Sequence, residues 1–226
     1  MVMKEFNKNK GMVISFEGIT GSGKTTLIKC LRKSLENEGY VIYVKPDFYT
    51  YQDNSVGGAI KKMLSKDMQF LKIGYPIVEA LLIAAKRAYD SEKYLRPALN
   101  EGKIVLLDRG VDTYYAYHTV SILEHFPAME IKQVIDWLNV VDKMGGIIPD
   151  LTIYLSLDLD TAFKRSKKNF NLNQRIREYY KKIIEIYEYL AEIHNKRIVK
   201  IDARKSIDEI HKEVLTIILK RVGELL

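Results

Sequence analysis

Residues Gly18-Ile19-Thr20-Gly21-Ser22-Gly23-Lys24-Thr25 fit the pattern G-x-x-x-x-G-K-[ST] and lie between an apolar run and an amphipathic one. Met12-Val13-Ile14-Ser15-Phe16 reads as a short buried strand, and Thr26 through Leu35 as a helix with one apolar stripe. In that setting the glycines let successive backbone N–H groups turn inward around an anion, while the helix N-terminus adds positive potential. Lys24 contributes a point charge, and the Thr25 hydroxyl is a ligand for Mg²⁺. Gly18, Ile19, Thr20, Gly21, Ser22, Gly23, Lys24, Thr25 and Thr26 are therefore the expected phosphate-binding set for a nucleoside triphosphate. A turn that only connects strand to helix would explain the glycines, but not the complete motif in this place.

Beyond the loop, apolar runs and helical stripes alternate. Further strands are expected at 40–44, 104–107, 151–155 and 198–201, the first of them ended by Pro46. Residues 47–58 read as a loop containing Gly57-Gly58, and helices are expected from about Ala59 to Leu64 and from Pro76 to Leu99, with Pro97 a candidate kink. Ile131, Val134, Ile135 and Leu138 mark the inward face of a helix that carries Trp137, a residue for packing or partner contact. Ile207, Ile210, Val214, Ile217 and Ile218 recur at helical spacing near the C-terminus. Apolar strands alternating with helices predict an α/β three-layer sandwich, with a five-stranded parallel sheet of the P-loop NTPase type covered on both faces. At 226 residues the chain fits one domain, read as a polar tail at 1–10 and a single unit at 11–226.

Charge and cysteine content narrow the setting. The formal charge of +7 is spread along the chain, so phosphorylated small molecules account for it and nucleic acid is not required as a partner. The single Cys30 reads as a small core residue, with no disulfide or cysteine metal framework available. With no apolar stretch of the length of a secretion signal or membrane span, a cytoplasmic location and no membrane partner are expected.

Two further constellations carry chemistry. Asp108-Arg109 ends the third strand, at the carboxyl edge of the sheet where the phosphate loop opens. The carboxylate there can orient Mg²⁺ or its waters, and the guanidinium can grip a phosphate through two parallel hydrogen bonds. A structural ion pair between the two is the competing role. Arg87, four residues after Ile83 on one helix face, either reaches the cleft or is simply exposed.

In order and spacing these segments resemble the thymidylate kinases. Phe16-Glu17-Gly18-Ile19-Thr20-Gly21-Ser22-Gly23-Lys24 is similar to that family's Phe-Glu-Gly-Ile-Asp-Gly-x-Gly-Lys. Leu81 to Ala88 resembles its Leu-Leu-Phe-x-Ala-x-Arg-Ala, and Pro97-Ala98-Leu99-Asn100-Glu101-Gly102 its Pro-Ala-Leu-x-x-Gly. Asp108 to His118 resembles its Asp-Arg-Tyr-x-x-Ser-x-x-Ala-Tyr-Gln, and Pro149 to Leu155 and Ile201-Asp202-Ala203 follow in order. The resemblance implies transfer of the ATP γ-phosphoryl group to the 5′-phosphate of a deoxynucleotide, with ATP and Mg²⁺ bound and a homodimer as the assembly. Lys24, Asp108, Arg109 and Arg165 would be catalytic, and Thr25 and Asp108 would hold the metal. Asp202 and Ala203 would join the phosphate loop in binding ATP, and Lys45, Ile83, Arg87, Arg109, Thr113 and Tyr117 would bind the acceptor. It also implies a basic lid at about 165–174, beginning Arg165-Ser166-Lys167-Lys168, although basic residues at a helix C-terminus also satisfy the macrodipole.

The pattern is broken in four places. Thr20 replaces the loop acid, exchanging a charge-assisted bond of about 1.5–3 kcal/mol for a neutral one nearer 1. Ile83 replaces the phenylalanine that stacks on thymine, a contact typically worth about 1–3 kcal/mol. Phe170-Asn171-Leu172-Asn173 stands where the lid has Asp-Arg-x-Glu, and Lys45 substitutes for an arginine with less directional donors. Phe48, Tyr49, Tyr51, Phe70 and Tyr75 are candidates to restore a stacking surface, and His118 either bonds a base edge or caps its helix. A kinase for another deoxynucleotide or deoxynucleoside, or a degenerate nucleotide-binding module, remains open. A guanine switch is disfavoured because Asn195-Lys196-Arg197-Ile198 lacks the acid of its base reader.

Overall fold

Short apolar runs are stable as strands only when both faces are covered, and the chain meets that demand by alternating them with helices. The computed structural model describes residues 11–45, 48, 55–66, 69–70, 74–166 and 174–225, with backbone only at 65, 66, 69, 70 and 225. Its elements run β1 (Met12–Glu17), α1 (Lys24–Asn37), β2 (Ile42–Lys45), α2 (Val56–Leu64), β3 (Ser65–Lys66), β4 (Gln69–Phe70), α3 (Pro76–Asp90) and α4 (Arg96–Asn100). They continue as β5 (Ile104–Asp108), α5 (Val111–His125), α6 (Ile131–Lys143), β6 (Leu151–Ser156), α7 (Leu159–Arg165), α8 (Gln174–Ile193), β7 (Ile198–Asp202) and α9 (Ile207–Leu225). The main sheet has five strands, all parallel, in the order β2-β5-β1-β6-β7. The expected three-layer α/β architecture is therefore present, with β3 and β4 added as a small antiparallel pair.

β1 lies at the centre of that sheet and is buried along its whole length. Its alternate residues feed opposite cores: Met12, Ile14 and Phe16 pack with Leu27, Leu31, Leu106 and Ile153, whereas Val13 packs with Leu95, Ala98, Val105 and Leu107. Pairing of Phe16 with Asp108 and of Glu17 with Tyr154 brings the carboxyl ends of the three central strands to one edge. The strand order changes direction at β1, and that edge is where α/β sheets form their ligand crevice.

The expected element boundaries shift in three places for local reasons. Tyr40 is not in β2, because its N–H bonds back to the Leu35 carbonyl at 3.1 Å after Gly39 turns with φ of 90°, so it closes α1. Gly57 and Gly58 lie inside α2, since the Ser55 hydroxyl caps the Gly58 N–H at 2.9 Å and offsets the cost of glycine in a helix. The long helix after Pro76 is interrupted at Ser91–Leu95 by a π turn, ahead of Pro97, which occupies the first turn of α4 where its missing N–H leaves nothing unpaired. Cys30 is half-buried on α1, outside the core proper. Trp137 is partly buried against the core.

A buried ion pair ties the second half of the sheet to α5. Arg197 donates to both Asp112 oxygens and to the Thr152 hydroxyl, each at 2.7 Å. Removing one partner leaves an uncompensated buried charge, so Arg197→Met is expected to lower unfolding free energy by about 3–5 kcal/mol in urea titrations. The double variant with Asp112→Leu is expected to lose less than Arg197→Met alone; an equal or greater loss would refute the pair as the cause.

Candidate active site

The phosphate loop is shaped by glycines that no other residue can replace without strain. Gly21 has φ of 89°, and a Cβ placed there would lie 2.0 Å from the Ala162 carbonyl oxygen on α7. Gly23, with φ of 94°, begins α1. Lys24 follows at once, buried, and its amine donates to the Gly18 carbonyl at 2.9 Å, the Ile19 carbonyl at 3.0 Å and the Ser22 hydroxyl at 3.3 Å. The cation is thus held inside the ring of the loop.

Asp108 and Arg109 do not serve each other at the end of β5. The Asp108 carboxylate accepts a hydrogen bond from the Thr25 hydroxyl at 2.6 Å, which sets two hard oxygens side by side at the mouth of the loop. That donor set fits Mg²⁺, which takes one or two protein oxygens at about 2.0–2.1 Å and fills its octahedron with water and phosphate. Arg109 turns the other way. Its φ of 74° is in the left-handed region, and its Nη1 donates to the Gly18 carbonyl at 3.1 Å, the oxygen that also receives Lys24. Its guanidinium carbon stands 5.6 Å from the ring centroid of Tyr117.

Beneath Arg109 lies a buried polar network. The Glu17 carboxylate accepts from the Ser15 hydroxyl at 2.5 Å and the Gly110 N–H at 2.7 Å, and its second oxygen accepts from the Thr113 hydroxyl. Burial, and then the nearby Asp112 carboxylate, push the Glu17 carboxyl above its ordinary value. Thr113 also contacts the Tyr187 hydroxyl at 2.7 Å and Arg109 at 3.4 Å. Thr113 therefore joins Arg109 to this network. Glu17, Ser15 and Tyr187 are not among the expected site residues; the signal for Glu17 is its place in the motif beginning Phe16-Glu17-Gly18.

On the acceptor side the expected residues separate. Arg87 is not exposed: its Nε and Nη2 donate to the two Asp142 oxygens at 2.5 and 3.0 Å, clamping α3 to α6. Burial works against its charge, and Asp142 more than restores it. Lys45, buried at the end of β2, meets Asp90 at 3.0 Å, and Lys86 meets the same carboxylate oxygen at 2.8 Å. Burial and the Lys45 charge push the Lys86 amine down to about 7. Lys86 also lies 4.9 Å from the ring centroid of Phe48, which packs with Ile60, Leu64 and the half-buried Ile83. Tyr75 is exposed, Tyr49 and Tyr51 fall outside the described residues, and only the backbone of Phe70 is described.

On the nucleotide side, Arg165 ends α7 and donates to the Ala203 carbonyl at 2.6 Å, not to the carbonyls of its own helix. The structure thereby joins Arg165 to the turn after β7, where Asp202 pairs with Arg204 at 2.7 Å. Of the expected lid, residues 167–173 fall outside the described residues, as does the tail at 1–10.

Comparison with known proteins places these features in a family. A family model described as thymidylate kinase matches residues 16–214. The thymidylate kinase of Thermoanaerobacter sp. (strain X514) is 36% identical over 215 residues, covering 93% of this chain and 98% of that protein. Those of Caldanaerobacter subterraneus subsp. tengcongensis and, as a probable thymidylate kinase, Methanococcoides burtonii are each 31% identical, over 210 and 207 residues. They cover 91% of this chain, and 94% and 95% of their own lengths respectively.

His118 neither caps its helix nor meets a protein acceptor: its Nδ1 has no hydrogen-bond partner among the described residues, and its ring packs 5.0 Å from that of Tyr114. Burial pushes the imidazole down to about 3 from an ordinary 6.5, so the unfolded chain takes up the proton first as pH falls. Stability present above the unfolded value is then lost toward the folded one, with a slope of up to about 1.4 kcal/mol per pH unit. His118→Gln is expected to flatten this part of the profile in urea midpoints measured from about pH 7 to 4; an unaltered slope would show that His118 is not the group titrating.

Proposed function

The chain belongs to the thymidylate kinase family, and from that premise we propose that it transfers the γ-phosphoryl group of ATP to the 5′-phosphate of thymidine monophosphate, forming thymidine diphosphate. The observation that carries this reading is the convergence of Lys24 and Arg109 on one carbonyl oxygen, Gly18 O. Lys24 belongs to the triphosphate loop, and Arg109 is the only arginine at the carboxyl end of the central strands among the described residues. Phosphoryl transfer is catalysed by holding two phosphates in line and surrounding the growing equatorial charge with cations, and this placement supports both demands.

In the proposed reaction the backbone N–H groups of the loop and Lys24 hold the β- and γ-phosphates of ATP, while Arg109 grips the acceptor phosphate. Thr25 and Asp108 would hold Mg²⁺, which when bound neutralises charge between the phosphates. Tyr117, against Arg109, would border the acceptor sugar, and Lys45 would support its phosphate. Arg165 and the lid at about 165–174 would cover ATP, within a single kinase domain at 11–226. We further propose a cytoplasmic homodimer acting on small nucleotides without nucleic acid; among the described residues no helix is long and apolar enough to cross a membrane.

Replacing either cation by alanine is expected to lower kcat about a hundredfold or more, as for other preorganised groups that meet transition-state charge. Folded Lys24→Ala or Arg109→Ala protein that retained full turnover would overturn these roles. A panel of deoxynucleoside monophosphates and deoxynucleosides, read by coupled ADP release, is expected to show thymidine monophosphate as the preferred acceptor. Turnover of another acceptor with thymidine monophosphate inert would overturn the substrate and leave the reaction class standing.

A further inference from the structure

Arg109 carries positive φ where most side chains avoid it, and a backbone held there must be held by its surroundings. Those surroundings are unusually well defined. The next residue, Gly110, donates its N–H to Glu17, and a Cβ at Gly110 would lie 2.6 Å from the Ser15 hydroxyl oxygen and 3.2 Å from Glu17 Oε1. The strand that ends in Glu17 thus occupies the space that a side chain on residue 110 would need. Immediately after Glu17 comes Gly18, whose carbonyl receives both Lys24 and Arg109.

The hydrogen-bond count at Thr113 gives the network a direction. A hydroxyl has one proton and two lone pairs. Thr113 gives its proton to the Glu17 carboxylate, so Tyr187 must donate to Thr113, and Arg109 Nη1 uses the remaining lone pair. The chain of bonds therefore runs from Tyr187 on α8, through Thr113 on α5, to Glu17 on β1, with Arg109 attached at its middle. Tyr187 is itself fixed by stacking on Tyr154 of β6, at 5.1 Å between centroids and 17° between planes.

We propose that Glu17 and Tyr187 are positioning residues for Arg109: through Thr113 and the Gly110 amide they fix the guanidinium against the phosphate loop, and so set where an acceptor phosphate sits relative to ATP. Neither residue need touch substrate. This inference rests on the functional reading above in taking Arg109 as the acceptor-phosphate grip.

The test uses the full-length protein, with thymidine monophosphate and ATP as separate titrants in calorimetry and thermal melting alongside. Tyr187→Phe deletes one oxygen and is expected to weaken thymidine monophosphate about tenfold, with ATP affinity within twofold of wild type and the melting temperature nearly unchanged. In an Arg109→Ala background the same substitution is expected to add nothing further, because the effect travels through the arginine. Glu17→Gln is expected to act in the same sense and more strongly; if it fails to fold, Tyr187→Phe decides alone. Unaltered monophosphate affinity in Tyr187→Phe, an equal loss of ATP affinity, or a full effect without Arg109 would each overturn the proposal. Wild-type protein that binds thymidine monophosphate but does not phosphorylate it would sink the functional reading while leaving this comparison valid; wild-type protein that does not bind it would overturn both.

Discussion

Two cations that repel one another share a single backbone oxygen at Gly18, and the arrangement of the whole edge follows from making that tolerable. Lys24 opens α1 after β1 and Arg109 directly follows β5, and the two meet because β1 and β5 are paired in register up to Phe16 and Asp108. Their mutual repulsion is what a pair of phosphates would relieve, which is the electrostatic preorganisation the proposed reaction calls for. Glu17, one residue before the shared carbonyl, is an acid kept out of water, where burial raises its carboxyl above the ordinary value.

Legibility in the sequence followed the range of the forces involved. The loop, the strand before it and the Asp108-Arg109 pair are set by neighbours in the chain, and a motif between an apolar run and a helical stripe was enough to place them. Arg87 was not legible, because what decides its position is Asp142, 55 residues later on another helix. Local competition misled at Tyr40, where a helix cap took a β-former, and at Gly57-Gly58, where one serine hydroxyl outweighed two glycines. Glu17 was visible only as a letter in a motif. Its meaning depends on the topology that brings Gly110 and Thr113 against it.

Around Lys45, where the sequence departs from the family pattern, a buried carboxylate fixes the substitute cation in place. Lys45 is a compact cation with no fixed fork, yet it does not act from open solvent: Asp90 holds it beside Lys86. Two amines on one buried carboxylate leave at most the net charge of a single lysine there, and less where the Lys86 amine is neutral. The depressed Lys86 value reflects that crowding, with burial the larger cause. Phe48 and Ile83 of α3 fill the same corner with apolar surface.

The strained residue is also the one proposed to grip the acceptor phosphate. A non-glycine residue with φ of 74° costs of order 1–3 kcal/mol. In an unfolded chain Arg109 is under no such constraint, so contacts around it must supply at least that much. The Gly110 amide and the Thr113 hydroxyl are placed to do so, and both end on one carboxylate that cannot move because it terminates the central strand. Relaxing Arg109 would pull the Gly110 amide from Glu17 and leave the buried carboxyl one donor short, a cost of about 1–3 kcal/mol that matches the strain relieved. The conformation is therefore held by the cost of abandoning it, and a guanidinium held in that way is already oriented when a phosphate reaches it.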